Sequence, residues 1–129
     1  MLCCIDTSGY FDDKLLHAFF GELEGILNPY PTLQCQLWYA DARCHGPCTL
    51  QAIWNIPRPR GGGGTDFTPF FRAAADHWSH DEDAVCVYLT DGYGGFPEEP
   101  PEMPVLWVVT PGGAEAKVFP FGEVCRLLA

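Results

Sequence analysis

Three short runs in this chain are apolar at every position: Leu2-Cys3-Cys4-Ile5, Ala84-Val85-Cys86-Val87-Tyr88-Leu89 and Val105-Leu106-Trp107-Val108-Val109. A strand with one wet face alternates apolar and polar residues, so runs with no polar side read as strands buried on both faces. Strands of that kind belong to a parallel sheet covered by helices above and below. Two of the three stop abruptly at an acid. Ile5 runs into Asp6-Thr7-Ser8-Gly9-Tyr10, and Leu89 into Thr90-Asp91-Gly92.

Helical patterns lie between these runs. From Asp13 to Leu27, apolar residues recur at Leu15, Leu16, Phe19, Leu23, Ile26 and Leu27, three- and four-residue steps that put them on one helix face. Gly21 and Gly25 each weaken that helix by about 1 kcal/mol relative to Ala, so packing has to compensate. A second helix is expected with Asp66 as N-cap, Pro69 in the first turn, and Phe67, Phe70, Phe71, Ala74 and Trp78 on one side. Leu33 to Tyr39 alternates as a strand. Thr49 to Trp54 reads as its partner, joined through a turn at residues 42–48. The residues from about Phe121 to Leu128 read as a last short helix. The pattern predicts an α/β fold: a Rossmann-like three-layer sandwich with a mostly parallel central sheet flanked by helices. We expect residues 1–129 to form a single domain, the C-terminal part of a longer protein.

In such a sheet ligands collect beyond the carboxyl ends of the strands, where the strand order reverses. Asp6 and Ser8 lie after one strand, Asp91 after another, and Thr65 and Asp66 follow the glycine loop at residues 61–64. If these ends are neighbours, they gather carboxylates and hydroxyls, the oxygen ligands that hard divalent cations take. The charge balance agrees with that direction. Seventeen acids against seven bases give a formal charge of −10, which leaves few cations for neutralising phosphates, so nucleic acid is not the expected partner. No apolar run approaches the roughly 20 residues of a membrane span. Seven cysteines, an odd count with three inside strand-like runs, and no signal-peptide pattern point to a reducing, cytoplasmic setting.

Three motifs in order, "IDTSG", "GGGTDF" and "LTDGYGGFP", with the tail "PVLWVVT" and "PFGEVCRL", resemble the von Willebrand factor A (VWA) fold. They are most similar to a bacterial VWA-like family of unknown function whose members follow an N-terminal domain resembling metallopeptidases. The resemblance covers nearly the whole chain. It implies a metal-ion-dependent adhesion site in which Asp6, Ser8, Thr65 and Asp91 hold Mg²⁺, or Mn²⁺ or Ca²⁺, and an open position takes a carboxylate from a partner protein. It also implies an adaptor role beside AAA+ ATPases of the MoxR type. The departure is Tyr10, standing where the motif's second serine would be. A phenol cannot place its oxygen where a serine hydroxyl sits, which leaves three outcomes open: water in its place, weaker affinity, or a relic site.

Other readings compete for the same residues. Ser8 or Asp12 can cap the first helix, and Asp66 can serve as a helix cap with only an indirect role at a metal. A metal-dependent hydrolase or phosphoryl-transfer enzyme could use Asp6, although the two lysines, Lys14 and Lys117, do not follow the strand-end acids closely. A purely structural domain is the third class. Cys44-His45-Gly46-Pro47-Cys48 has a zinc-like Cys-x₃-Cys spacing, but no second Cys/His pair at standard spacing accompanies it, and a turn explains it adequately. His77 and His80 read as a solvated helix end. "RPRGGGG" lacks the Gly-Lys-Ser/Thr ending of a phosphate loop. The loop carrying Glu98, Glu99 and Glu102 among prolines is expected to form the rim of any partner contact.

Overall fold

The computed structural model describes residues 1–7, 12–27, 29, 35–40, 43–48, 65–78 and 83–127. Six strands form one sheet: β1 (Leu2–Asp6), β2 (Gln36–Ala40), β3 (Cys44–Cys48), β4 (Cys86–Thr90), β5 (Val105–Val109) and β6 (Glu123–Arg126). Two α-helices, α1 (Asp13–Leu27) and α2 (Thr68–His77), and a 3₁₀ turn at Ala116–Val118 complete the described elements. The strand order is β3-β2-β1-β4-β5-β6, and every pair is parallel except β2–β3. Chain order therefore reverses between β1 and β4. No helix among the described residues is long and apolar enough to cross a membrane.

Alternation along the three apolar strands sorts their side chains into two cores. Leu2 and Cys4 of β1, Cys86 and Tyr88 of β4, and Val105 and Trp107 of β5 face α2, whose Phe70, Phe71 and Ala74 close that layer. Cys3, Ile5, Val87, Leu89 and Val108 face the other way, against Leu15, Leu16, Phe19 and Leu23 of α1. This is the expected three-layer sandwich. The α2 side is dense in aromatic rings. Tyr88 stacks on Trp107 at 5.4 Å between centroids, and Phe67 stands edge-on to both at 5.2 Å. Each such pair contributes about 0.5–1.5 kcal/mol beyond the area it buries.

The helix starts carry their own signals. The Leu15 N–H donates to Asp12 Oδ1 at 2.9 Å, so Asp12 caps α1. Helix α2 begins at Thr68 with Pro69 in its first turn, and Asp66 Oδ1 accepts the Thr68 N–H at 2.9 Å. Asp66 thus relieves an orphan donor, from one position earlier than expected.

Two expected elements are corrected. Within the stretch expected to be a helix, Glu123–Arg126 form β6 instead. Val124 and Leu127 are three apart, which suits a helix face, but here they pack into opposite cores as strand alternation requires. The exposed edge of β5 decides the matter by offering a ladder: Leu106 to Val109 pair with Glu123 to Arg126, and the Leu127 N–H donates to Val109 O at 2.9 Å. Likewise Cys44–Cys48 is a strand, not a turn, pairing antiparallel with β2 across an irregularity between Leu37 and Tyr39. Gly46 explains why these residues looked like a turn. A Cβ there would lie 2.6 Å from Trp38 Cδ1, so glycine allows the edge strand to close over the indole. The Thr49–Trp54 strand lies outside the described residues, as does Leu33 at the start of the expected second strand.

Candidate functional site

Register explains how the first two site residues meet. Ile5 pairs with Leu89, so Asp6 and Thr90 come next on adjacent strands, both on the α2 side of the sheet and both at its carboxyl end. This is the point where the strand order reverses, the position at which open α/β sheets bind ligands. Asp6 is 6% exposed and Thr90 1%. A carboxylate so far from water needs donors. It has them: the Thr90 hydroxyl donates to Asp6 Oδ2 at 2.6 Å, and the Thr65 hydroxyl approaches Oδ1 at 3.1 Å and Oδ2 at 3.3 Å.

Thr65 arrives from 59 residues away, and its position is set by a clamp between two loops. Gly95 N–H donates to Thr65 O and Phe67 N–H to Gly95 O, each at 2.9 Å. Gly94 makes this approach possible, since a Cβ there would sit 2.7 Å from Thr65 O and 2.9 Å from the Phe67 ring. Phe67, fully buried between Tyr88, Trp107 and Phe96, anchors the segment from the other side.

Asp91 follows Thr90 and turns out of the sheet. Its Oδ1 accepts the Tyr93 N–H at 3.0 Å, and its backbone carbonyl accepts the Ala114 N–H at 2.7 Å. Burial pushes its carboxyl pKa above the ordinary value, the Tyr93 N–H offsets part of that, and the negative charge of Asp6 raises it further. Gly92 makes the turn at φ +86°, a conformation open chiefly to glycine, and its N–H donates to Thr90 Oγ1 at 3.0 Å.

Of the four residues proposed as ligands, a hydrogen bond joins Thr65 to Asp6, and Asp91 follows Thr90 at the end of the neighbouring strand; Ser8 lies outside the described residues, as does Tyr10. Asp66 is exposed and points its carboxylate at the start of α2, consistent with a capping role. Glu98, Glu99 and Glu102 are exposed on the proline loop, and a groove extends from Asp66 along them. Lys14, which follows neither strand-end acid closely in sequence, shares a cleft with one of them. Lys14, in the first turn of α1, lines a cleft of about 470 Å³ together with Asp91, Tyr93 and Thr110. Sequence distance hid this, because the sheet brings the start of α1 beside the β4 and β5 loops.

Thr90 is the site residue that sequence reasoning missed. The signal was available: two strands ending at the same level, with Thr90 in phase with Tyr88, pointed its side chain to the face on which Asp6 lies. Among the described residues, no three His, Cys, Asp or Glu side chains cluster in a way that could hold a metal. Cys44 and Cys48 lie on β3 without such a cluster, and His77 packs edge-on to Trp38 at 5.4 Å. What the strand ends do offer is two carboxylates with threonine hydroxyls. A hydroxyl that gives its proton to a carboxylate presents only lone pairs elsewhere, so this donor set is chemically compatible with a hard cation.

A search of curated proteins returned no match. A family model does match, over residues 1–128, and its description is VWA-like domain (DUF2201). The strand order, the mostly parallel sheet and the two covering helices agree with that description, and the chain belongs to this VWA-like domain family.

Proposed function

We propose that the chain is a protein-interaction module in which Asp6, Ser8, Thr65 and Asp91 hold a hard divalent cation, Mg²⁺ first and Mn²⁺ or Ca²⁺ in its place. The observation that supports this reading is a buried carboxylate, Asp6, held by the Thr65 and Thr90 hydroxyls beside a second acid where strand order reverses. A bound cation would supply electrostatic attraction for a carboxylate of the partner. The residues themselves do the positioning. The Thr65 and Thr90 hydroxyls fix the Asp6 carboxylate, and the Gly94–Gly95 clamp holds Thr65. Asp91 sits next to the 470 Å³ cleft whose wall includes Lys14, a second cation that suits an acidic side chain.

The test is a calorimetric titration with Mg²⁺ and Mn²⁺ of the wild type, Asp6→Ala and Asp91→Asn, with circular dichroism confirming that each variant is folded. Saturable binding to the wild type that weakens at least tenfold in folded Asp91→Asn supports the reading. Absence of binding at millimolar metal overturns it. An AAA+ ATPase of the MoxR type, the partner class that the resemblance implies, is the first protein to assay for retention that chelator abolishes.

A further inference from the structure

Beside the strand-end site lies a larger feature that the cation reading does not use. A groove of about 930 Å³ runs from Asp66 between α2 and the 96–103 loop. Its two sides differ in chemistry. Trp78 and Phe96, half-buried against the α2-side core, contribute aromatic surface, and the buried Phe71 and Met103 form its floor. Glu98, Glu99 and Glu102 line it from the loop, and Arg72 is the one base among the described residues that line it. Glu98 and Glu99 are exposed and make no ion pair among the described residues. Among the described residues their charge is uncompensated, on a wall next to aromatic surface.

The loop is also built to keep this shape. Pro97, Pro100 and Pro101 restrict φ through the acidic stretch. Gly95 ties its start to Thr65 and Phe67, and Met103 buries its end. A wall ordered in advance loses little entropy when a ligand docks.

We propose that this groove docks a cationic peptide segment of a partner protein, with Lys or Arg side chains against Glu98 and Glu99 and an apolar side chain against Trp78 and Phe96. Charge complementarity selects this occupant: an acidic segment would meet like charges, and an uncharged one would leave the glutamates unanswered. The proposal stands on the groove alone and does not require a metal.

The experiment uses a fluorescein-labelled synthetic peptide that alternates lysine and leucine, followed by fluorescence anisotropy in buffer containing EDTA. Glu98→Gln/Glu99→Gln is expected to weaken binding roughly five- to tenfold, since each exposed pair contributes about two- to threefold. Glu22→Gln/Glu24→Gln removes the same charge from the exposed side of α1 and is expected to leave affinity unchanged. A matching peptide with glutamate in place of lysine is expected not to bind. Equal weakening in both double variants means general attraction to an acidic protein and overturns the proposal. Binding of the acidic peptide, or no binding of the basic one at millimolar concentration, overturns it as well. Because EDTA is present throughout, failure here is distinguishable from failure of the cation reading.

Discussion

Replacing Thr90 by Val tests the central claim about the site, that Asp6 is held by buried hydroxyls. Valine matches threonine in shape, so the change removes polarity with little change in volume. The Thr90 hydroxyl donates to Asp6 Oδ2 at 2.6 Å and accepts from the Gly92 N–H at 3.0 Å, with the residue 1% exposed. Loss of a hydrogen bond to a charged group costs about 1.5–3 kcal/mol, and a buried N–H left without an acceptor costs about 1–3 kcal/mol. Burying a methyl group returns about 0.8 kcal/mol of that. The expected net loss is about 3 kcal/mol, read from urea unfolding followed by the fluorescence of buried Trp38 and Trp107. For a domain of this size it would lower Tm by roughly 10 °C. Thr90→Ser keeps both hydrogen bonds and gives up one methyl group, so it is expected to stay within about 1 kcal/mol of the wild type. A Val variant within 0.5 kcal/mol of the wild type, roughly the effect of an ordinary surface change, would refute the reasoning. So would a Ser variant as damaged as the Val one.

Other perturbations probe the parts that support this centre. The Tyr88 hydroxyl is buried and, among the described residues, has no hydrogen bond beyond a weak contact with the Cys4 thiol, so Tyr88→Phe is expected to raise stability by up to about 1 kcal/mol in the same urea assay; a loss of that size would mean that the thiol is a full partner of the phenol. Gly92→Ala is expected to cost at least about 2 kcal/mol, because φ is +86° and a Cβ would lie 2.7 Å from Phe119 Cζ and 2.8 Å from Ala114 Cβ; a neutral result would show that the Asp91 turn can relax. The thiols of Cys3 and Cys35 lie 3.4 Å apart, and their hydrogen bond lowers the Cys35 pKa, whereas partial burial and Glu22 raise that of Cys125. Thiolate is the reactive form, so the midpoint of Cys35 alkylation by iodoacetamide should lie at lower pH than that of Cys125, measured by peptide mass mapping; the reverse order would contradict the pairing.

Much of the architecture could be read from local pattern because the relevant residues report their own burial. β1, β4 and β5 are apolar on both faces, and only a covered sheet can use that. The spacing of Leu15, Leu16, Phe19 and Leu23 has one good solution, a helix lying on such a sheet. The placement of Asp6 and Asp91 at strand ends then located the site, since the ends of parallel strands share one edge of the sheet.

What tertiary structure alone decided depends on partners distant in sequence. Phe121 to Leu128 carry spacing that fits a helix locally, and the free edge of β5 made part of them a strand. Cys44–Cys48 has turn composition, yet β2 and the Trp38 indole beneath Gly46 made it an edge strand. The role of Thr90 followed from the register of β4 against β1, and the position of Lys14 from the packing of α1 beside two loops that follow it much later in the chain. Thr65 reaches Asp6 only through the clamp at Gly94 and Gly95. The amino-acid pattern determined which segments must be buried, because burial is a property of each side chain; which buried segment lies next to which, and hence which polar groups meet, depends on hydrogen bonds and close packing between residues far apart in the chain, 84 positions in the case of Thr90 and Asp6.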